Sequence, residues 1–492
     1  MGSNWVAVSL LLVEWAIRVA LVLRIIMIRR PVPVALAWVL VVVWVPILGI
    51  LVYLLVGENR LGRRRVRRFE ELTAGMDRKA VALWQHRSEG MDQPLERYDQ
   101  VANIAFAVGG FPPLKGNRLT LMTDAEATLE HIIRDIENAK SHVHMLYYLW
   151  MRGGMGVAVG EALVRAAGRG VQCRVLVDAV GSRPFLRSAM AARLRARGVQ
   201  VVPALPVSLL RLPFYRLDLR NHRKLTVIDG RIAYSGSQNI NDSTFRSNRR
   251  IRTGPWIDAS LRIEGPAAQA LGVVFLMDWQ LDAGENMADL EAYLPDLGRP
   301  AHTESVVQVV PSGPGTAAAS PGGPAGGIQQ AILTAIYAAR EELIMTSPYF
   351  VPDEATKAAL ISAAMRGVEV TIIVPARNDS PLVALASRSH LQDFLDAGVR
   401  VALYRHGLLH AKTLTVDRRI AIVGSANLDA RSFYLNFEVT MFIYDDDFSS
   451  VVRFMQTGYL DASIELSPQE WRKRPALTRF AENTVRLMGP LL

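Results

Sequence analysis

NHRKLTVIDG, residues 221–230, decides how this chain is read, because LHAKTLTVDR at 409–418 repeats its spacing. In each, one residue separates a His from a Lys, and four more separate the Lys from an Asp. The triplets are His222, Lys224, Asp229 and His410, Lys412, Asp417. Seven of the 56 basic residues are Lys, so Arg fills nearly every other basic position. With nine His and 24 Asp in 492 residues, chance would supply roughly 0.006 such triplets. Each motif is followed by Gly-Ser-x-Asn: Gly236-Ser237-Gln238-Asn239 and Gly424-Ser425-Ala426-Asn427. A rare constellation that occurs twice marks a duplicated unit.

The surroundings repeat as well. ATLEHIIRDIENA (127–139), with helical periodicity, leads to the apolar run HVHMLYYLW (142–150). GEALVRAAGRG (160–170) leads to VQCRVLVD (171–178). The same order returns as 327–341, 343–350, 357–367 and 368–375. Helices alternating with strands predict an α/β fold, a sheet covered by helices. Equivalent stretches are offset by 197, 200 and 188 residues, which one duplication explains if the first copy carries an insertion between Val201 and His222. The expected units are a first α-β-α domain at 101–300, a Gly/Pro-rich linker at 301–327, and a second domain at 328–492 with a C-terminal tail. The two domains are expected to pack with pseudo-two-fold symmetry. LTVID and LTVD are β-branched and apolar, so each motif is expected on a strand. There, residues two apart face the same way, about 6.5 Å apart.

The N-terminus reads as membrane-embedded. Residues 31–57 carry no charge, and 5–28 are apolar apart from Glu14, Arg18 and Arg24. Glu14 and Arg18, four apart, share a helix face and can pair. Residues 1–58 are therefore expected to form a transmembrane helical hairpin, with spans about 5–28 and 33–56. A basic linker, 59–100, follows; RLGRRRVRR (60–68) holds six Arg and places the rest of the chain on the cytoplasmic side. The net charge of +10 suits an anionic partner, membrane surface or nucleic acid. Cys173 stands alone in an apolar run, which predicts a buried thiol and excludes an internal disulfide.

Two copies of the motif facing each other would gather two imidazoles and two ammonium groups around one point. That is a phosphate site. The Lys groups neutralise oxyanion charge, one His attacks phosphorus, and the other protonates the leaving oxygen.

Two such motifs with trailing Gly-Ser-x-Asn resemble the phospholipase D superfamily. LLVGENRLGRRR, LVDAVGS, LRNHRKLTVIDG, TSPYFVPDE, GLLHAKTLTVD, GSANLDARSFYLNFE and the terminal RLMGPLL narrow the resemblance to its bacterial cardiolipin synthase family, over essentially the whole chain. The resemblance implies two phosphatidylglycerol molecules giving cardiolipin and glycerol at a bacterial cytoplasmic membrane, without cofactor or metal. It implies His222 as nucleophile and His410 as general acid, then base, although the residues themselves leave that order open. Lys224, Lys412, Asn239 and Asn427 would hold the phosphate, with Ser237 and Ser425 in support. Asp258 and Glu438 match the family's acidic residues that orient a His. Asp229 and Asp417 belong to the motif but are expected to close turns. Many relatives have Glu where this chain has Leu146, and Tyr147 and Tyr148 are expected as core or pocket wall.

The insertion PALPVSLLRLPFYRLDLR (203–220) is expected to dip into the leaflet through Leu209, Leu210, Leu212 and Phe214, with Arg211 and Arg216 at lipid phosphates. The tail helix face of Leu477, Phe480, Ala481, Thr484 and Met488 is expected to dock on the core. Asp445, Asp446 and Asp447 read as a solvated loop. His142 and His144 lack a third metal ligand at fitting spacing. The rival functions are a hydrolase or another phosphatidyltransferase, a nuclease disfavoured by the membrane segment, and an idle lipid-binding scaffold. A homo-oligomer is compatible with the sequence, and no nucleic-acid partner is expected.

Overall fold

The structure is a computed structural model. It describes the chain except for residues 1, 29–31, 59, 62–64, 70, 73–94, 96–97, 207–215, 217, 244, 246–252, 286–290, 299–304, 315–325 and 488–492.

The duplication is visible in the order of strands. In the first copy the spatial order runs Leu114–Met122, Ser260–Glu264, Ile232–Gly236, Leu225–Ile228, His142–Tyr147, Gln172–Asp178, Gln200–Ala204. In the second it runs Ser305–Ser312, Asn436–Tyr444, Ile420–Gly424, Thr413–Val416, Glu342–Thr346, Glu369–Pro375, Arg400–Tyr404. The two halves join where Leu114–Met122 pairs antiparallel with Ser305–Ser312, so one continuous sheet runs through both. Strands buried on both faces must be apolar nearly throughout. Val143, Met145 and Tyr147 meet Leu129, Ile132 and Leu163 of one helix layer. Leu146, Leu176 and Leu225 meet the Pro266–Ala283 helix on the other face.

Two expected boundaries move. Ser305–Ser312, placed in the 301–327 linker, is a central strand paired along Val306↔Tyr444 to Ser312↔Glu438. The Pro and Gly of the following stretch drew the boundary too early. Residues 99–109, divided between the expected 59–100 linker and the first domain, form helix Asp99–Gly109, which packs on the second copy. Val101, Ala105 and Val108 lie on one face, at i, i+4 and i+7, and join Ile332, Ile336 and Val310.

The membrane segment also departs from expectation. Gly2–Met27 is one long helix with exposed apolar residues, and Trp5–Met27 is long and apolar enough to cross a membrane. Arg18 pairs with Glu14 at 2.5 Å, as their spacing implies, and also donates to the Val43 carbonyl. Residues 33–56, expected as a second span, are not one continuous helix. They form two short helices, Val32–Trp44 and Leu48–Val56, broken by a turn at which Ile47 has φ +53°. In a continuous helix Trp38 and Tyr53 would lie about 22 Å apart. Their ring centroids lie 5.4 Å apart, so the second helix folds back on the first. Pro46, which lacks an N–H and clashes with the preceding turn, accounts for the break. One candidate span among the described residues, rather than two, leaves the multi-pass arrangement without support.

The tail helix Ala476–Leu487 does not bury the expected face. Leu477 and Phe480 are exposed, whereas Glu482 and Val485 point inward. Glu482 is held by Arg388 and Arg474, and these ion pairs set the helix's rotation. Asp445 is not in a solvated loop: it caps helix Asp446–Asp461 through the Phe448 amide and accepts from Ser305 Oγ. His142 and His144 are buried, and no group of potential metal ligands occurs among the described residues.

Candidate active site

Neither His-x-Lys lies on a strand. Arg220–Asn221 pairs with the first residues of Asn436–Tyr444, and the chain then crosses through His222, Arg223 and Lys224 into Leu225–Ile228. Likewise Leu408–Leu409 pairs with Trp256–Ile257, and the chain crosses through His410 and Lys412 into Thr413–Val416. Each crossing is anchored by the opposite copy. His222 N–H donates to the Phe437 carbonyl at 2.8 Å, and His410 N–H donates to the Ile257 carbonyl at 2.7 Å. The Lys heads then fold back, with Nζ at 2.6 Å from the His222 carbonyl and 2.7 Å from the His410 carbonyl.

The carboxylates are exchanged between copies. Glu438 Oε1 lies 3.0 Å from His222 Nδ1, and Asp258 Oδ1 lies 2.6 Å from His410 Nδ1. An ionised carboxylate accepts, so each ring carries its proton on Nδ1 and leaves the Nε2 lone pair free. Burial would raise Glu438, but His222, Lys224 and the Ser425 hydroxyl outweigh it and hold the group below the usual carboxylate range. Asp258 is lowered in the same way, against burial, by His410, Lys412 and Ser237. Burial lowers His222 to about 4, with Glu438 opposing. Burial also lowers His410 to about 4, with Lys412 adding to the effect. Lys224 falls to about 8 and Lys412 to about 7, again from burial, with the carboxylates opposing. Lys412 acts on His222, and Lys224 acts on His410 and on Lys412, so the two copies share one electrostatic site. At neutral pH it holds two neutral imidazoles with free lone pairs beside two lysines that keep at least part of their charge. Each lysine ammonium offers N–H donors and positive charge to the non-bridging oxygens of a phosphodiester.

Residues 132–251, which hold His222 and Lys224, and residues 332–455, which hold His410 and Lys412, match the family described as cardiolipin synthase, PLD-like domain. Residues 16–58 match a phospholipase D-nuclease N-terminal family. Cardiolipin synthase A of Serratia proteamaculans is 41% identical over 508 residues, covering 100% of both chains. Cardiolipin synthase A of Edwardsiella ictaluri is 40% identical, covering 97% of each. The chain belongs to the cardiolipin synthase family. Among solved structures, phosphatidylserine synthase of Haemophilus influenzae matches with a TM-score of 0.60 at 18% identity, covering 80% of this chain and 100% of its own, which supports the shared fold.

Within this cardiolipin synthase fold some expected residues take other positions. Ser237 and Ser425, expected in support, bond to the acidic residues. Their hydroxyls donate to Asp258 at 2.6 Å and Glu438 at 2.5 Å, so they brace the carboxylates. Asp229 and Asp417, grouped with the catalytic motif, lie at the far end of the motif strands. Asp229 accepts the amides of Lys140, Ser141 and His142, and Asp417 those of Arg340, Glu341 and Glu342. Asn239 and Asn427 are buried near the site; Asn239 Oδ1 accepts the Leu149 amide. Tyr147 is core, bonded to Thr226, while the Tyr148 ring sits 4.9 Å from the His222 ring as pocket wall. Arg216 pairs with Asp218 at 2.5 Å, leaving it less available to lipid than expected. Leu209, Leu210, Arg211, Leu212 and Phe214 lie outside the described residues.

Four site residues were not singled out from the sequence. The Trp256 ring packs tilted on His410, 4.3 Å between centroids, and Tyr349 lies 6.5 Å from it. Arg223 is buried; its Nε donates to the Glu438 carbonyl and its Nη1 to Asp278 at 2.7 Å. Asp278 also accepts from Asn221 Nδ2. The signal for Asp278 was present: it and Asp282 are the charged residues of an otherwise uncharged eighteen-residue helix.

Proposed function

We propose that this chain transfers a phosphatidyl group from one phosphatidylglycerol to another, releasing glycerol and forming cardiolipin. What supports the reading is the crossed pairing, in which each imidazole is aimed by a carboxylate from the other copy. In the proposed first step His222 Nε2 attacks phosphorus and the bond to the glycerol headgroup oxygen breaks. The bound phosphodiester anion raises His410, whose Nε2 takes up a proton from solvent and passes it to that oxygen. In the second step the glycerol hydroxyl of another phosphatidylglycerol attacks, its proton goes to His410, and the phosphorus–nitrogen bond breaks. Lys224 and Lys412, with Asn239 and Asn427, hold the non-bridging oxygens. One diester becomes a phosphoramidate and then a diester again, so no energy source is needed. Both imidazoles and both carboxylates come from a single chain, so the site is complete in a monomer.

The Gly2–Met27 helix anchors the enzyme in the bacterial cytoplasmic membrane, and the basic residues after it place the catalytic body at the cytoplasmic, anionic face. The test is incubation of the purified full-length protein with vesicles containing labelled phosphatidylglycerol. Cardiolipin plus glycerol is expected. Phosphatidic acid alone would replace this reading by a hydrolase, and no turnover by an idle scaffold.

A further inference from the structure

The basic stretch after the membrane segment is not uniformly turned to the lipid surface. Arg67 is exposed, but Arg65 is turned inward, its side chain 11% exposed. Its guanidinium meets Asp282 with two hydrogen bonds, Nη1 to Oδ1 at 2.5 Å and Nη2 to Oδ2 at 3.2 Å. Asp282 is 1% exposed and also accepts the Leu205 amide. Leu61 and Val66, on either side of Arg65, pack with Leu219 and Phe437. Arg68 donates to the Gly284 carbonyl.

Phe437 is where this join reaches the chemistry. The Arg65 guanidinium lies 5.6 Å from the centre of its ring, and the Arg223 guanidinium 5.5 Å. Asp282 holds the first of these arginines, and Asp278, one helical turn earlier, holds the second. Phe437 supplies the carbonyl that anchors His222, and the next residue is Glu438, which aims the His222 ring. The His410 half is built differently: Ala411 stands where Arg223 stands, and Trp256 packs on the ring.

We infer that Arg65 is a positioning residue for His222. The segment joining the membrane anchor to the body sets the place of Phe437, and through it the Glu438–His222 pair. It does not touch substrate. Displacing it loosens one of the two imidazoles and leaves the other in place, so the anchor's attachment and the competence of one half-site are linked. This rests on His222 acting on the phosphodiester.

The experiment uses full-length enzyme in phosphatidylglycerol vesicles, scoring transfer and hydrolysis together. Arg65→Ala leaves the Asp282 carboxylate buried without its ion partner and can weaken the fold for that reason alone. A second variant, Arg65→Gln with Asp282→Asn, keeps a neutral hydrogen-bonded pair and removes one of the two cations beside Phe437, leaving Arg223. The expected result is a thermal midpoint close to wild type, kcat lower by roughly ten- to a hundredfold, and KM for phosphatidylglycerol little changed. Arg65→Lys should recover part of the loss. Adding the double substitution to Glu438→Gln should cost little more, whereas adding it to Asp258→Asn should carry its full penalty. The inference is overturned if the neutral pair has wild-type kcat, if KM alone changes, or if the penalty is equal in both backgrounds. Because hydrolysis is scored too, a wild type that gives phosphatidic acid without cardiolipin would count against the synthase reading alone, and the variants would still report on Arg65.

Discussion

A histidine whose Nδ1 faces a buried carboxylate has its tautomer chosen for it. That is the position of both His222 and His410. Glu438→Gln replaces an obligate acceptor with a group that can donate, which favours the tautomer lacking a free Nε2 lone pair. We expect kcat to fall roughly 10²- to 10⁴-fold with KM for phosphatidylglycerol little changed, and Asp258→Asn to cost a similar amount, both measured as steady-state turnover of labelled lipid. The lysines set a second expectation. Lys412 is lowered to about 7 and Lys224 to about 8, so each is charged below that value and neutral above it. Phosphate attraction is therefore present below those values and lost as pH rises through them. kcat/KM should fall over that range, and kcat should fall at higher pH, because a bound anion raises both lysines. The histidines, lowered to about 4, stay neutral until the pH is well into the acid range, so an acid limb belongs near that value. A kcat/KM profile still flat a full unit above the Lys224 value would contradict this account. At this scale the sequence was informative because spacing is a local property: the six motif positions could be read directly. That Ser237 and Ser425 face carboxylates could not, because the bond depends on which strand lies opposite.

Among the elements, the motif aspartates fasten one strand to the loop before another. Asp229 and Asp417 both sit at φ +52°, a left-handed conformation that Asp tolerates better than most residues, and each carboxylate collects three backbone amides. Asp417→Ala should cost about 1–3 kcal/mol of stability by stranding those donors, read as a lower thermal or denaturant midpoint. The folded fraction should keep near wild-type kcat. A variant that keeps its midpoint but loses turnover would return Asp417 to the chemistry. The strand LTVID was legible from its β-branched, apolar residues, yet His222 and Lys224 lie outside it, because pairing of Arg220–Asn221 with a strand more than two hundred residues away forces a crossing there. The uncharged, apolar character of 33–56 was legible by composition. Its reversal at Pro46 was not, since composition carries no direction.

Taken whole, the molecule is two copies that complete each other. The strand order repeats, and the carboxylate for each histidine belongs to the opposite copy. The duplication could be read from three offsets in the sequence, whereas the exchange depends on how the copies face each other. If the exchange holds, a chain opened within 315–325 should give halves that are each inactive alone and active when co-expressed, because Ser305–Ser312 on one half still pairs with Asn436–Tyr444 on the other. Turnover by an isolated half would contradict it. The most direct test is an experimental structure of the enzyme with orthovanadate and glycerol. The account expects vanadium bonded to His222 Nε2, an apical oxygen at hydrogen-bond distance from His410 Nε2, and both lysines on the equatorial oxygens. Vanadate held by the histidine and lysine of one copy, with the other imidazole out of reach, would contradict it.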